Sequence, residues 1–295
     1  MAVPRSLPAV LSALRCPLCG RELALSGSAL RCPQRDTFNI ARQGYLSLLA
    51  DAKARSGDDD AMMIARDRFL GSGAYAPLRD AIVQAALGES GGPQTHRADG
   101  AHIVDAGSGS GYYLAGVLAA NEGAETAGWG FGFDSAVRGA RLTAKCHPRA
   151  VAATWDAFRP FPLADRCADI VLDIFSPRNP SEFARVLAPG GRLVVAHPRA
   201  DHLAELRAAV PDMVGIDPEK ERRLHAALDP LFTEDHRQEL AFEVALTPDR
   251  AADLIGMTPS ARHVSAADRS ERLAAEGALP AAVTAAVTVS RWEPR

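Results

Sequence analysis

Ile103-Val104-Asp105-Ala106-Gly107-Ser108-Gly109-Ser110-Gly111-Tyr112-Tyr113 is the stretch on which the fold turns. A short apolar run ends in an acid. Three glycines follow at every second position, and an apolar periodic segment then runs from Leu114 to Ala120. The pattern predicts strand, tight turn and helix. Glycine admits φ > 0 and lets a ligand approach bare main chain. The turn delivers that ligand to a helix N-terminus, where unbonded N–H groups point outward.

The dinucleotide fingerprint is G-x-G-x-x-G, whose last glycine packs helix on strand. Here the spacing is G-x-G-x-G behind Asp105, the form that S-adenosylmethionine (SAM) enzymes show. An acid there suits a cationic amino-acid ligand and repels a pyrophosphate. A glycine-rich turn without a ligand is the competing reading of the loop taken alone.

The residues downstream favour the ligand. Trp129 to Phe133 reads as a second strand ending in Asp134, which lies 23 residues after Gly111. An acid at the end of strand 2 of a doubly wound sheet faces ribose hydroxyls and repels a 2′-phosphate. A helix over 136–146 follows, with Arg138, Arg141 and Lys145 on its solvent side. Asp156, after Thr154-Trp155, stands where class I methyltransferases often hold the adenine amino group. Pro162-Leu163-Ala164-Asp165 leads into Ala168-Asp169-Ile170-Val171-Leu172, the fourth strand. A helix from Phe183 then ends at Pro189-Gly190-Gly191, and a strand resumes at Leu193-Val194-Val195. These pieces resemble the class I SAM-dependent methyltransferases across residues 100–200, a Rossmann-like α/β fold.

The chain has 295 residues, 47% hydrophobic and 23% charged, enough for one large or two unequal domains. No run of about 18 apolar residues exists, so no membrane span is expected. Residues 7–14 are too short and poorly flanked for a secretory signal, and a cytoplasmic location is expected. Net charge is −3, yet residues 1–57 hold eight Lys/Arg against three Asp/Glu. A basic N-terminal module on an acidic body has the look of an RNA-reading appendage; ordinary scatter of charge is the alternative. Lysine is scarce and arginine abundant, so arginine count alone carries little.

Cys16-Pro17-Leu18-Cys19 and Cys32-Pro33-Gln34-Arg35-Asp36 form two knuckles with twelve residues between them. Zinc takes four such ligands in a tetrahedron. In a cytoplasmic protein five cysteines do not argue for disulfides. Three thiolates are well placed, and Asp36 is the fourth candidate, although carboxylates are uncommon in structural zinc sites. The competing reading is a ribbon that has lost its metal and survives by packing. Glu22–Leu25 and Ser28–Arg31 suggest a hairpin turning near Gly27. Residues 38–49 complete the small core, with base stacking by Phe38 or Tyr45 as the sharper alternative. The expected organisation is a zinc-ribbon-like RNA-recognition domain over 1–50 and a methyltransferase domain over 51–295. Within the latter, 50–60 is a linker, helices cover 61–70 and 75–87 around a Gly71-Ser72-Gly73 break, and 88–100 is a loop. Residues 242–246 and 283–289 form the last strands, and 248–275 a helical insertion. The charged run Glu219 to Arg223 reads as a solvated face.

Further motifs narrow the resemblance. They are Cys-Pro-Leu-Cys at 16–19, Arg-Cys-Pro at 31–33, Ala-Arg-Gln-Gly-Tyr at 41–45 and the Leu70–Asp80 segment. Phe-Ser-Pro-Arg-Asn-Pro at 175–180, His-Leu-Ala-Glu-Leu at 202–206 and Met-Thr-Pro at 257–259 complete the set. Over most of its length the chain resembles the 23S ribosomal RNA (guanine-N1)-methyltransferases of the RlmA and TlrB type, with Arg-Asn-Pro favouring the TlrB-like branch. The resemblance implies SAM as methyl donor, zinc in the ribbon, and N1 of a guanine in a 23S rRNA hairpin loop as acceptor. It also implies 23S rRNA or a ribosomal subunit as partner, a homodimer, and a contribution to macrolide resistance. It carries zinc ligation to Cys16, Cys19, Cys32 and Asp36, the last a histidine in the family. It carries cofactor contact to Tyr75, Gly109, Ser110 and His202; Asp105, Gly107, Gly111, Asp134 and Asp156 follow from the general fold. The family's Val-Ser-Lys after the strand-2 acid is Ser135-Ala136-Val137 here.

Methyl transfer from a sulfonium needs in-line positioning, and guanine N1 must lose its proton. Asp173, after the fourth strand, is the candidate acceptor of that proton, with a polar strand end as its alternative reading. His202 is read as a cofactor contact and His197 as a strand-end residue. Two other functions compete: a small-molecule methyltransferase, which would label a metabolite and not RNA, and a SAM- or RNA-binding protein without turnover.

Overall fold

The computed structural model describes residues 3–49, 57–88, 100–121, 128–210, 213–262 and 279–295. Most of the expected linker at 50–60, most of the 88–100 loop and the distal part of the 248–275 insertion lie outside these residues.

The chain opens with α1 (Leu7–Leu11), then a small antiparallel sheet of β1 (Ala24–Ser26), β2 (Ala29–Arg31) and β3 (Thr37–Asn39), in that order. Gly27 turns the hairpin at φ +62°, as its position between two short strands demands. β4 (Leu46–Ser47) leaves this sheet and becomes the edge of a larger one.

Helices α2 (Asp60–Gly71) and α3 (Ala76–Leu87) follow, close to the spans the apolar spacing predicts. The Asp59 carboxylate caps α2 by accepting the Met62 N–H at 2.8 Å, which satisfies a donor that the helix cannot. The remaining elements are β5 (His102–Ala106), α4 (Tyr112–Ala120), β6 (Trp129–Asp134), α5 (Val137–Cys146), β7 (Ala150–Thr154) and β8 (Ala168–Ile174). After them come α6 (Pro180–Val186), β9 (Leu187–Pro198), α7 (Ala204–Ala209), α8 (Lys220–Leu228), β10 (Phe232–Ala245), α9 (Pro248–Gly256) and β11 (Ala282–Pro294).

Eight strands form the main sheet in the order β10-β11-β9-β8-β5-β6-β7-β4. The six from β9 to β4 are parallel; β11 and β10 are antiparallel. Strands β5, β7 and β8 are buried along their whole length, as parallel strands covered on both faces must be. Successive residues of β8 and β9 pack into different cores. Val171, Leu193 and Val195 join one, and Leu172, Val194 and Ala196 the other. The first core also takes in Leu7, Val10, Leu23, Leu30, Phe38 and Leu48, so the N-terminal module packs directly on one face of the sheet. Edge strand β10 carries Glu234, Asp235, Arg237, Glu239 and Glu243, charges that discourage edge-to-edge pairing.

Two strand expectations change. Pro189-Gly190-Gly191 does not separate helix from strand, because β9 begins at Leu187. The pairing shifts between Ala168–Leu187 and Ile170–Arg192, and Gly190 takes φ +75° there. β10 is longer than the apolar run 242–246, because its charged half is an edge that need not alternate cleanly. Among the described residues no helix is long and apolar enough to cross a membrane.

Candidate active site

The chain leaves β5 for β6 and β7 on one side, then returns to β8 on the other. Such a reversal opens a crevice at the carboxyl ends of the strands. A cavity of about 630 Å³ lies there, within the range of small-ligand sites. The glycine loop forms its floor. Gly107, Gly109 and Gly111 all have positive φ, at +76°, +55° and +77°. A Cβ on Gly107 would lie 2.1 Å from Ser176 Oγ, so this side of the loop has no room for any side chain. The Asp134 carboxylate braces the loop, accepting from Gly109 N at 3.0 Å and Ala136 N at 2.8 Å.

Three acids face this end of the cavity: Asp105, Asp134 and Asp156. Asp105 is 2% exposed, and its carboxyl is pushed up to about 8 by burial, then by the charges of Asp134 and Asp173. Burial also raises Asp134, against the pull of its two N–H donors. Asp156 accepts from Phe158 N at 3.0 Å, while its Oδ2 is buried with no hydrogen-bond partner, the Arg159 guanidinium standing 4.0 Å away. An orphaned acceptor here fits an amino group of a bound ligand. An acid held protonated by desolvation fits a cation that would restore its charge. The loop, acids and bare main chain therefore fit SAM, with Asp105 toward its cationic portion, Asp134 toward ribose and Asp156 toward adenine.

Tyr75 and His202 join the wall as one unit. His202 Nδ1 lies 3.0 Å from the Ala286 carbonyl and so carries the proton. Its Nε2 then accepts from the Tyr75 hydroxyl at 3.4 Å. Burial lowers His202 to about 4, so the ring is neutral and its lone pair is occupied. That arrangement suits a cofactor contact and not a general base. Gly57, Asp58 and Arg66 cover the loop from the α2 side, with an Arg66–Asp58 ion pair at 2.5 Å and Arg66 Nη2 donating to the Met257 carbonyl at 2.9 Å.

Asp173 stands behind the wall and does not line the cavity. Neither of its buried oxygens has a hydrogen-bond partner, and Arg178 Nε lies 3.5 Å from Oδ2. Burial pushes the carboxyl up to about 7, with Arg178 and Lys220 pulling it down. His197, on β9, is buried too; burial lowers it to about 4 and its Nδ1 faces the Pro198 carbonyl. The cavity wall also includes residues that the sequence reading passed over: Arg66, Phe175, Ser176, Arg178, Lys220 and Arg223. No local motif marks them, except that Phe175 to Arg178 lie in the Phe-Ser-Pro-Arg-Asn-Pro segment.

In the ribbon, Cys16, Cys19, Cys32 and Asp36 bring one ligand atom each to within 4.8 Å of one another. Gly20 (φ +71°) closes the first knuckle and Arg35 (φ +69°) the second. Asp36 Oδ2 lies 3.0 Å from Cys32 Sγ and 3.4 Å from Cys16 Sγ, completing a fourth corner. Three thiols and a carboxylate are a donor set that zinc accepts. Asp36→His is expected to tighten the site and Asp36→Ala to loosen it. Mass spectrometry should find about one zinc per chain in the wild type and in the histidine variant after chelator treatment, and substoichiometric zinc in the alanine variant.

The doubly wound sheet, its antiparallel hairpin and the acid-lined glycine loop define a class I SAM-dependent methyltransferase that carries a zinc ribbon. Residues 14–56 match the zinc-ribbon family described as "RlmA, N-terminal". The 23S rRNA (guanine(748)-N(1))-methyltransferase of Streptomyces fradiae is 37% identical over 90% of this chain and 91% of its own. A relative from Micromonospora griseorubida, named a 23S rRNA (guanine-N(1)-)-methyltransferase with no position given, is 38% identical over 97% of this chain and 99% of its own. The chain belongs to the 23S rRNA (guanine-N1)-methyltransferase family. Among solved structures, a SAM-dependent methyltransferase from Thiobacillus denitrificans, in complex with S-adenosyl-L-homocysteine, aligns at a TM-score of 0.42 and 17% identity over 75% of this chain and 91% of its own.

Proposed function

We propose that this chain methylates N1 of a guanine in a 23S rRNA hairpin loop, working in the cytoplasm as a homodimer and contributing to macrolide resistance. The observation that carries the reading is the pairing, in one chain, of the acid-lined glycine-loop cavity with a four-donor ribbon packed on the same sheet. The 90% and 97% spans shared with relatives named for this modification support it.

SAM, when bound, supplies the methyl group. The chain's own part is binding and orientation. Asp105, Gly107, Gly109, Ser110, Asp134 and Asp156, which line the cavity, would hold the donor, and the Tyr75–His202 pair supports it; Gly111, expected there from the sequence, lies outside the lining and caps α4. A loop guanine is already unpaired or is extruded at modest cost, which exposes N1. The N1 proton leaves during the transfer. Asp173 acts from behind the wall by fixing Arg178. On this account Asp173→Asn raises KM for RNA several-fold and leaves the shape of the pH profile unchanged. A profile that loses a limb near pH 7, with kcat down by about a hundredfold, would make Asp173 the proton acceptor instead.

The direct test is primer extension on 23S rRNA. A stop at one guanine, appearing only with enzyme and SAM, supports the reading. Labelled methyl that enters a small metabolite and never RNA or ribosomal subunits overturns it. Sedimentation of the purified protein checks the dimer. Drug susceptibility of a host with and without the gene checks resistance.

A further inference from the structure

The cavity has lining residues besides those assigned to the donor. Phe175, Arg178, Leu203, Arg207, Lys220 and Arg223 form part of its wall, next to the glycine loop and His202. Phe175 and Leu203 have positive φ, at +54° and +56°. Bulky side chains rarely adopt that backbone, and such strain gathers at binding sites. Phe175 is also 42% exposed, an aromatic ring held open on a cavity wall. Its neighbour His202 sits 6.4 Å away, centroid to centroid.

The cations here are not all spoken for. Arg223 pairs with Asp217, and Arg207 donates to the Ala200 and His202 carbonyls. Lys220 is different: its ammonium makes no ion pair or hydrogen bond among the described residues. Burial and the nearby Arg178 charge lower its pKa, against the opposing pull of the Asp173 carboxyl. Arg178 has one acidic partner, Asp173, and its Nε has no hydrogen bond. Two neighbouring cations on a cavity wall, facing a single buried carboxyl, Asp173, between them, leave an excess of positive charge that favours an anionic ligand.

We propose that this wall is the acceptor-nucleotide subsite: Phe175 stacks on the extruded base, and Arg178 with Lys220 holds its phosphate. The assignment rests on the reading of the protein as an RNA methyltransferase and adds the residues that seat the acceptor. An exposed ring supplies a stacking face for any base. A phosphate between Arg178 and Lys220 relieves the repulsion of two like charges in a half-buried place. The base would then lie between the strained strand end and the donor.

The test compares 5′-GMP with guanosine as ligands of the protein loaded with S-adenosylhomocysteine, using NMR titration. The expected result is about tenfold tighter binding of 5′-GMP, lost in Lys220→Met, with S-adenosylhomocysteine affinity unchanged in that variant. Phe175→Ala should weaken both ligands about tenfold, and Phe175→Tyr should restore them. With 23S rRNA as substrate, Lys220→Met should raise KM and make its logarithmic salt dependence shallower by about 0.7, a change that loss of packing would not produce. Equal binding of 5′-GMP and guanosine by the wild type, or a full phosphate preference in Lys220→Met, overturns the subsite. If 5′-GMP binds as expected while 23S rRNA is never methylated, the subsite stands and the proposed rRNA activity falls.

Discussion

Asp105→Asn is expected to weaken SAM binding roughly a hundredfold and to remove its pH dependence. Asp105 is buried with its carboxyl pushed up to about 8, so it is largely protonated in the free protein at neutral pH. A cation bound beside it favours the ionised form and drives a proton off. Wild-type affinity should therefore rise by up to about tenfold between pH 6 and 7. Calorimetry at pH 6.5 in two buffers of different ionisation enthalpy should find about one proton released per SAM. The asparagine variant should release none. Equal affinity of the two proteins for SAM would remove Asp105 from the cofactor site.

The same group makes a stability prediction of definite sign. Its folded value, about 8, lies above the ordinary 3.8, so the folded protein holds a proton that the unfolded chain gives up. The stability this contributes is full below about pH 4 and is lost as pH rises through about 8. The ligand-free protein should thus be less stable at pH 8 than near pH 5. Asp105→Asn should raise its stability at pH 8 by about 2 kcal/mol, read from urea unfolding. A residue that is costly to the empty fold and needed by the filled one is what a binding acid should be.

Gly111→Ala is the second large effect, and it acts on the fold. Gly111 caps α4 in the left-handed region at φ +77°. An added Cβ would lie 2.8 Å from Cys146 Sγ, 2.9 Å from Cys146 Cβ and 3.0 Å from Thr143 Cα. The last contact is backbone and cannot turn away. Left-handed strain and overpacking together should cost about 3 kcal/mol, seen as a fall in Tm of several degrees. The loop would shift as well, so SAM affinity should drop with it. Gly190→Ala is the control. Gly190 has a similar φ of +75°, but nothing lies within 4 Å of its added Cβ. It should cost only the strain, about 1 kcal/mol. If the two variants melt alike, packing at Gly111 is not the cause.

Much of this was legible in the residues because it depends on local rules. The glycines of 107–111 announce positive φ, the apolar runs at 103–106 and 168–172 announce strands covered on both faces, and the cysteine knuckles announce a metal-like corner. Asp134 is found from its distance to the loop, because strand and helix lengths in such a unit vary little. Other features have no local signal. The β10 edge hides behind its charges, and the alanine-rich β7 lacks the side chains that mark a strand, though both its faces are buried. That β4 would leave the ribbon for the main sheet depends on where β7 stands, far along the chain, with Leu46 opposite Ala153.

The loop Asp105 to Gly111 and the ribbon Cys16 to Asp36 speak through spacing and residue type, and with them come the fold, the donor and the metal. The acceptor wall of the cavity does not. Phe175 and Arg178 share one motif, but Leu203 and Lys220 come from two other segments, and nothing local joins the three. Their exposure, strain and excess positive charge arise when β8, the turn after β9 and the start of α8 converge. Whether a lysine is solvated or stands half-buried beside an arginine is a property of that convergence. The Glu219–Arg223 run looked like an ordinary charged face for the same reason.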